Sequence, residues 1–337
     1  MIIELDEDLK EIIGDCDSEE SQIYKLLDKI AIAYRMGFHF IFSKGIVSNR
    51  VLSNKVLSKN IEIVKAFQKV KETEPEYGIL VKSAPIKIVV TKEKKFKRKE
   101  KEASLRISIS YDSDDLQNII TSKTSLLFEN SEDGAFYVKC IHFFTRKNKW
   151  CIKNKYEIMN GGGDTIAKEL IRITKNRDKI LFCLCDSDMK SPTSAMGDTA
   201  KNAKKLFDAL SNKEKFFSKL LIDTSYMEIE NLIPSDFLCS INPKSKCFFE
   251  KFISNNASLY VDLKKGTFSG ILLRDDAQCA KCENNPEQYL KFNSTILKQF
   301  NDSKIDLIDN SKLKRNIWLK LGQILFYFTC CANPQVA

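Results

Sequence analysis

Ile180-Leu181-Phe182-Cys183-Leu184-Cys185-Asp186-Ser187-Asp188 is an unbroken apolar run that stops at two carboxylates one residue apart. About fifty residues upstream, Ser125-Leu126-Leu127-Phe128-Glu129 does the same and continues to Asp133. Strands of a parallel sheet covered by helices on both faces read as continuous apolar runs, and ligands bind beyond their C-terminal ends. Both acidic clusters would then open onto one edge. Carboxylates converging in a small volume repel one another unless a divalent cation sits among them, so the two clusters together read as a Mg²⁺ or Mn²⁺ site.

Outward from these runs, strand and helix patterns alternate from about residue 105. Strands are expected at Leu105 to Ser110, Ser125 to Glu129, Tyr156 to Met159, Ile180 to Asp186 and Leu220 to Asp223, with helices at Asp133 to Phe144, Thr165 to Thr174 and Thr199 to Leu210. This is the pattern of an α/β fold with a mostly parallel, Rossmann-like sheet flanked by helices, assigned to residues 105–240. Residues 1–100 read as an α-rich unit with short strands. Ile23, Leu26, Leu27, Ile30, Ala31 and Tyr34 recur at helical spacing, as do Val56, Leu57, Ile61, Val64 and Phe67. That signal stops around Pro75 and Gly78, and β-like runs follow at Ile79 to Val81 and Ile86 to Thr91.

Lys92 to Glu102, KEKKFKRKEKE, holds seven basic and three acidic residues and reads as a solvated linker marking a boundary. The alternative is an arm that contacts phosphates. Residues 241–337 read as a mostly helical extension closed by an apolar helix from Trp318 to Phe328.

At 337 residues and 43% hydrophobic content the chain can bury a sizeable core. The acidic start, Met1 to Asp8, lacks the basic and apolar stretches of a secretory signal, so a cytoplasmic protein is expected. Ile317 to Ala332 contains Lys320 and is shorter than a membrane span, so no membrane association is expected. Cys140, Cys183, Cys185, Cys330 and Cys331 lie in apolar runs, which suits reduced thiols. Cys279-Ala-Lys-Cys282 is the close CxxC, with no second pair at zinc-ribbon spacing. The net charge of +9, from 54 basic and 45 acidic residues, favours a polyanionic partner without requiring one.

Asp186 and Asp188 flank a single residue at a strand end, where both carboxylates can face one cation, and Asp133 lies one helical turn past Glu129. Hard oxygen donors suit Mg²⁺ or Mn²⁺. The candidate metal ligands are Glu129, Asp133, Asp186, Asp188 and Glu230, and the candidate catalytic residues are Glu129, Asp186 and Asp188. Glu129 comes from a different strand than the aspartates, and its carboxylate neighbourhood would raise its pKa, which suits a general acid/base. Glu230 is either a ligand or an exposed glutamate in the first turn of a helix; Glu132 and Glu228 rank below it. Lys190, Lys201, Lys204 and Lys205 could hold a nucleic-acid backbone beside the metal, or form an ordinary solvated face. Gly161-Gly162-Gly163 lacks the Lys-Ser/Thr of a P-loop and reads as a turn with an Asp or Thr cap. His39 and His142, in FHF and IHFF, read as packed core histidines.

The order of these motifs resembles the toprim fold shared by topoisomerases, bacterial primases and OLD-type nucleases. Glu129 with Asp133, in LLFENSEDGAFY, precedes Asp186-x-Asp188, in ILFCLCDSD, and YEIMNGGGDTIAKEL between them matches the strand, turn and helix of OLD-like members. Tyr226 to Leu232, YMEIENL, resembles the Glu-Asn-Leu/Tyr segment of stand-alone toprim proteins of phage defence, the nuclease subunit of the PARIS system among them. The resemblance covers about residues 105–240. It implies a Mg²⁺- or Mn²⁺-dependent endonuclease acting on DNA or RNA as a toxic effector of antiviral defence and abortive infection. It assigns Glu129 the acid/base role and implies a regulatory ATPase partner; a homo-oligomer is left open. The toprim glutamate is usually followed by glycine, and here Asn130 follows, a residue that tolerates positive φ better than other non-glycine residues.

A catalytically weak toprim module that binds a partner protein or nucleic acid is the reading from another class. A nucleotide-sugar transferase holding Mn²⁺ on Asp186 and Asp188 leaves Glu129 and Asp133 unexplained. A haloacid-dehalogenase phosphatase would need threonine where Lys190 stands.

Overall fold

The computed structural model describes residues 1–150, 152–252, 256–267, 290–303, 307 and 312–331. Cys279 and Cys282 lie outside the described residues.

The chain opens with β1 (Ile2–Leu5), α1 (Leu9–Gly14), α2 (Gln22–Arg35), β2 (Phe40–Ser43), α3 (Gly45–Ser53), α4 (Ile61–Ser83), β3 (Ile86–Thr91), β4 (Lys97–Lys101) and β5 (Ser104–Ser110). The strands form one sheet in the order β2-β1-β3-β5-β4, parallel except for the β4–β5 hairpin. Residues 1–100, expected to be α-rich with short strands, hold α1 to α4 and four of these five strands, with β4 running on to Lys101 and β5 lying beyond. β1 and β2 are four residues each, too short for periodicity to distinguish strand from helix.

α4, capped by the Asn60 side chain, runs through Pro75 and Gly78, so Ile79 to Val81 belongs to its last turns rather than to a strand. An interior proline removes one helical hydrogen bond, but Leu80 and Val81 are buried beyond it and hold the helix. Lys92 to Glu102 is a turn followed by β4, paired antiparallel with β5 from Lys97 opposite Ser108 to Lys101 opposite Ser104. Its charge fits an edge strand, where Lys and Glu discourage pairing with another chain. β5 in turn lies parallel to β3, so Leu105 to Ser110 joins the first sheet rather than opening the second.

The second half continues with α5 (Asp114–Ile119), β6 (Thr124–Phe128), α6 (Ser131–Asn148), β7 (Lys153–Asn154), β8 (Tyr156–Asn160), α7 (Ile166–Asn176), β9 (Leu181–Cys185), α8 (Asp198–Asp208), α9 (Asn212–Lys215) and β10 (Ser218–Ile222). β6, β8, β9 and β10 form an all-parallel sheet in the order β10-β9-β6-β8. Successive residues of β9 face opposite sides. Phe182 and Leu184 join the main core with α6, whereas Leu181, Cys183 and Cys185 pack with Ile166, Leu170 and Ile173 of α7 and Ala203 and Phe207 of α8.

The connection from β6 through α6 leads to β8 on one side, and that from β9 through α8 leads to β10 on the other. The strand order therefore reverses between β6 and β9. A crevice opens at the C-terminal ends of adjacent strands where this happens.

Buried side chains join the two sheets. Arg98, with a fully buried side chain, donates from Nη1 to the Phe216 carbonyl at 2.6 Å and from Nη2 to the Ser218 carbonyl at 2.8 Å. Lys219 donates to Glu100 Oε1 and to the Lys101 carbonyl, each at 3.0 Å. These donors tie backbone carbonyls and a carboxylate of one sheet to side chains of the other.

Beyond β10 come α10 (Ser235–Ile241), α11 (Lys246–Phe252), α12 (Ile296–Asp302), α13 (Lys312–Thr329) and the two-residue β11 (Cys330–Cys331), paired with β7. α13 is the apolar closing helix expected from Trp318 to Phe328, and it packs along α6. It also fixes the segment beyond β10: Trp318 Nε1 donates to the Leu232 carbonyl at 3.0 Å and Lys314 Nζ to the Ile233 carbonyl at 2.7 Å. No helix among the described residues is long and apolar enough to cross a membrane.

The α6–α13 crossing depends on Gly322. A Cβ there would lie 2.2 Å from the Cys140 carbonyl oxygen and 2.8 Å from Phe144 Cβ. Gly322→Ala is expected to force the helices apart and lower stability by about 1–3 kcal/mol, read as a lower denaturant midpoint at unchanged slope.

Candidate functional site

β6 and β9 end side by side, so Glu129 and Asp186 leave the sheet as neighbours, and the Asp186 N–H donates to Glu129 Oε1 at 3.2 Å. Asn130 then caps α6. Its side-chain oxygen accepts from the N–H groups of Glu132 (3.0 Å) and Asp133 (3.1 Å), and Asp133 Oδ2 accepts from the Asn130 N–H at 3.2 Å. Asn130 is extended, with φ −146°, so it serves as a cap rather than as a glycine substitute at positive φ. The reciprocal cap fixes Asp133, 5% exposed, beside Glu129.

Asp188 adopts the left-handed conformation, φ 52°, which is uncommon for a non-glycine residue. Its N–H donates to the Met227 carbonyl at 2.9 Å, and the Ser187 hydroxyl donates to the Tyr226 carbonyl at 2.5 Å. Gly197 packs against it so closely that a Cβ would fall 2.4 Å from Asp188 Cβ.

Glu230 sits in the 3-10 turn Ile229–Leu232, which the Ile229 N–H ties to Asp186 Oδ2 at 3.2 Å. It is 4% exposed rather than a surface glutamate, and its Oε2 has no hydrogen-bond partner. Below the carboxylates, the Tyr137 and Tyr226 hydroxyls meet at 3.0 Å, and Tyr137 stacks on Phe128.

The structure thus brings Glu129, Asp133, Asp186, Asp188 and Glu230 to one crevice, where they perturb one another. Burial, then the Asp133 and Asp188 carboxylates, push Glu129 up to about 7. Burial and Glu230 push Asp133 to about 7. Asp186 is driven well above the usual carboxylate range by burial, Asp133, Glu129 and Glu230. Asp188 is raised chiefly by burial, against the pull of Lys264.

Lys264, Glu228 and Asp262 complete the cluster. Lys264 Nζ lies 3.0 Å from Glu230 Oε1 and 3.3 Å from Glu228 Oε2. Burial disfavours its charge, but Glu230 and Glu228 outweigh burial and raise its pKa. Burial raises Glu228 itself to about 7. Asp262 accepts from the N–H groups of Lys264 (3.1 Å) and Lys265 (2.9 Å), shaping the turn that carries the lysine. The sequence offers no signal for Lys264: it lies in VDLKKG, outside any patterned element, and reaches the site through tertiary hydrogen bonds. Glu228 could have been raised in rank by its alternation with Glu230.

Gly161-Gly162-Gly163 is a turn. The Gly161 N–H donates to the Phe128 carbonyl at 2.6 Å and the Gly163 N–H to the Glu129 carbonyl at 3.1 Å, so the turn fixes the strand end beneath the crevice. Thr165 caps no amide of α7; its hydroxyl donates to the Gly161 carbonyl at 2.6 Å.

Lys190, Lys201, Lys204 and Lys205 are all exposed. Lys201 and Lys204 pair with Asp198 (3.5 Å) and Asp208 (3.0 Å) on their own helix, as an ordinary solvated face does. His39 is fully buried, with its pKa pushed down to about 3 by burial. His142 departs from expectation: it is exposed, because the period of α6 turns it outward while Ile141 and Phe144 face the core.

The donor set is all hard oxygen and includes the orphaned, buried Glu230 Oε2, which is the chemistry of a Mg²⁺ or Mn²⁺ site. As placed, however, no group of three or more His, Cys, Asp or Glu side chains among the described residues stands ready to hold an ion. No family model, curated protein or solved structure matches the chain.

Raised carboxylate pKa values make the folded state the tighter proton binder from the ordinary 4.5 up to about 7 for Glu129. Stability therefore falls as pH rises through that window and stays lower above it. The Glu129 shift alone corresponds to about 3 kcal/mol. Glu129→Gln and Asp186→Asn, without divalent metal, are expected to raise Tm at pH 8 by roughly 5 °C and leave it unchanged at pH 4, measured by differential scanning calorimetry.

Proposed function

We propose that the chain is a metal-dependent nuclease of the toprim, OLD-like type that cleaves phosphodiester bonds in DNA or RNA. The observation that carries this reading is the placement of Glu129 and Asp186 at the C-terminal ends of adjacent parallel strands, where the strand order reverses, with Asp133, Asp188 and Glu230 in the same crevice. Asp186, Asp188 and Glu230, with Glu129 and Asp133, would hold Mg²⁺ or Mn²⁺, which supplies Lewis acidity at a phosphoryl oxygen and offsets charge on the leaving oxygen.

Glu129, whose pKa burial and the neighbouring carboxylates raise in the metal-free chain, takes the acid/base role in this reading. The Asp186 N–H orients its Oε1. The Ile229 N–H holds Asp186, and the Met227 carbonyl and Gly197 hold Asp188. Lys190 and Lys205, exposed beyond the Asp-x-Asp edge, would contact the nucleic-acid backbone electrostatically. Service as a toxic effector of antiviral defence in the cytoplasm, restrained by an ATPase partner, belongs to the same proposal.

One observation favours the second reading, a binding module with little catalysis: the carboxylates are not gathered into a ready three-ligand set. Cleavage of plasmid DNA and total tRNA in Mg²⁺ or Mn²⁺ separates the two. The nuclease reading predicts divalent-dependent cutting that falls at least about 100-fold in both Glu129→Gln and Asp186→Asn, the size typical of losing an acid/base group. Wild-type protein that binds nucleic acid yet cuts neither substrate, with or without neighbouring gene products, favours the binding module.

A further inference from the structure

We infer that Lys264 is a built-in occupant of the cation site: its ammonium holds the crevice in a metal-free state and must leave Glu230 before a divalent ion can be bound. This deepens the proposed function and rests on its metal site.

Three observations carry it. The first is position. Lys264 Nζ is 3.0 Å from Glu230 Oε1 and 3.3 Å from Glu228 Oε2. A single ammonium thus bridges the carboxylate of the Ile229–Leu232 turn and that of the residue before it. The second is the state of the ligands. Glu230 keeps one buried oxygen on Lys264 while the other has no hydrogen-bond partner, and among the described residues no three His, Cys, Asp or Glu side chains are gathered for an ion. A monovalent ammonium with three donors cannot draw in as many carboxylates as a divalent ion, so the site relaxes around the lysine.

The third is the carrier. Lys264 lies in a turn closed by a bridge between Asp262 and Thr267, with Gly266 at φ 71°. The strand of chain leading into it is pinned to the site wall. Asn231 Nδ2 donates to the Val261 carbonyl at 2.8 Å, the Met227 N–H to the Leu259 carbonyl at 2.8 Å, and the Tyr260 hydroxyl to the Thr224 carbonyl at 2.7 Å. The backbone anchor is firm, while the lysine side chain is 41% exposed. Its flexible stem can therefore swing the ammonium into water without moving the turn.

A cation that competes with the metal gives the opposite sign from one that assists binding. Mn²⁺ binding by the full chain, followed by electron paramagnetic resonance, is expected to be about 10-fold tighter in Lys264→Gln than in wild type, with Lys264→Arg close to wild type and Asp186→Asn not binding. Equal or weaker binding in Lys264→Gln, with wild type binding normally, overturns the role given to Lys264 and leaves the metal site standing. Failure of wild type and Lys264→Gln alike to bind Mn²⁺ overturns the metal site and this inference with it.

Acylation footprinting of wild-type lysines by mass spectrometry decides the matter if Lys264→Gln does not fold. Saturating Mg²⁺ is expected to raise Lys264 reactivity several-fold relative to the exposed Lys205. Unchanged or reduced reactivity contradicts its release.

Discussion

Glu129, Asp133, Asp186, Asp188 and Glu230 lie together beyond the ends of β6 and β9, where burial and mutual repulsion raise the pKa of the first four. Coulomb repulsion between unit charges a few ångströms apart is small in water and several-fold larger near a protein interior, so the folded chain must either keep protons on these groups or supply positive charge. It does both. Burial and mutual repulsion favour the protonated forms of Asp186, Glu129 and Asp133, and Lys264 brings an ammonium to Glu230 and Glu228. In the proposed metal site a divalent cation and protons would compete for the same oxygens, coupling metal binding, pH and stability in one place.

Much of the molecule serves to hold that arrangement against its own repulsion. The switch in strand order between β6 and β9 sets Glu129 beside Asp186, and the Asn130–Asp133 cap fixes the start of α6. The Gly161–Gly163 turn holds the end of β6 from below, and α13 reaches the Ile229–Leu232 turn through Trp318 and Lys314. Arg98 and Lys219 join the second sheet to the first, so the crevice is braced by a core that runs through both halves. Close contacts at Gly197 and Gly322 leave little room for these elements to spread.

The second sheet was legible because its strands are buried on both faces: ILFCLC and SLLF read as strands whatever packs around them, and their acidic ends mark the open edge. The first sheet was largely hidden. β1 and β2 are four-residue strands flanked by strongly periodic helices, β4 is a row of charges whose strand state comes from pairing with β5, and α4 passes through a proline that local rules read as a stop. Among site residues, Glu129, Asp133, Asp186 and Asp188 are legible from spacing and Glu230 stands open between ligand and surface glutamate, whereas Lys264 and Asp262 arrive through a turn distant in sequence and could be found only in three dimensions. Asn130, which follows Glu129, caps α6 from an extended conformation instead of turning at positive φ.

Whether the carboxylates at the ends of β6 and β9 hold a divalent cation can be read from anomalous diffraction of crystals grown in Mn²⁺. A strong Mn²⁺ peak is expected between Glu129 and Asp186, with at least one further oxygen from Asp133, Asp188 or Glu230. Saturating Mn²⁺ that leaves this crevice without a peak, or that binds only elsewhere on the protein, would contradict the proposed metal site.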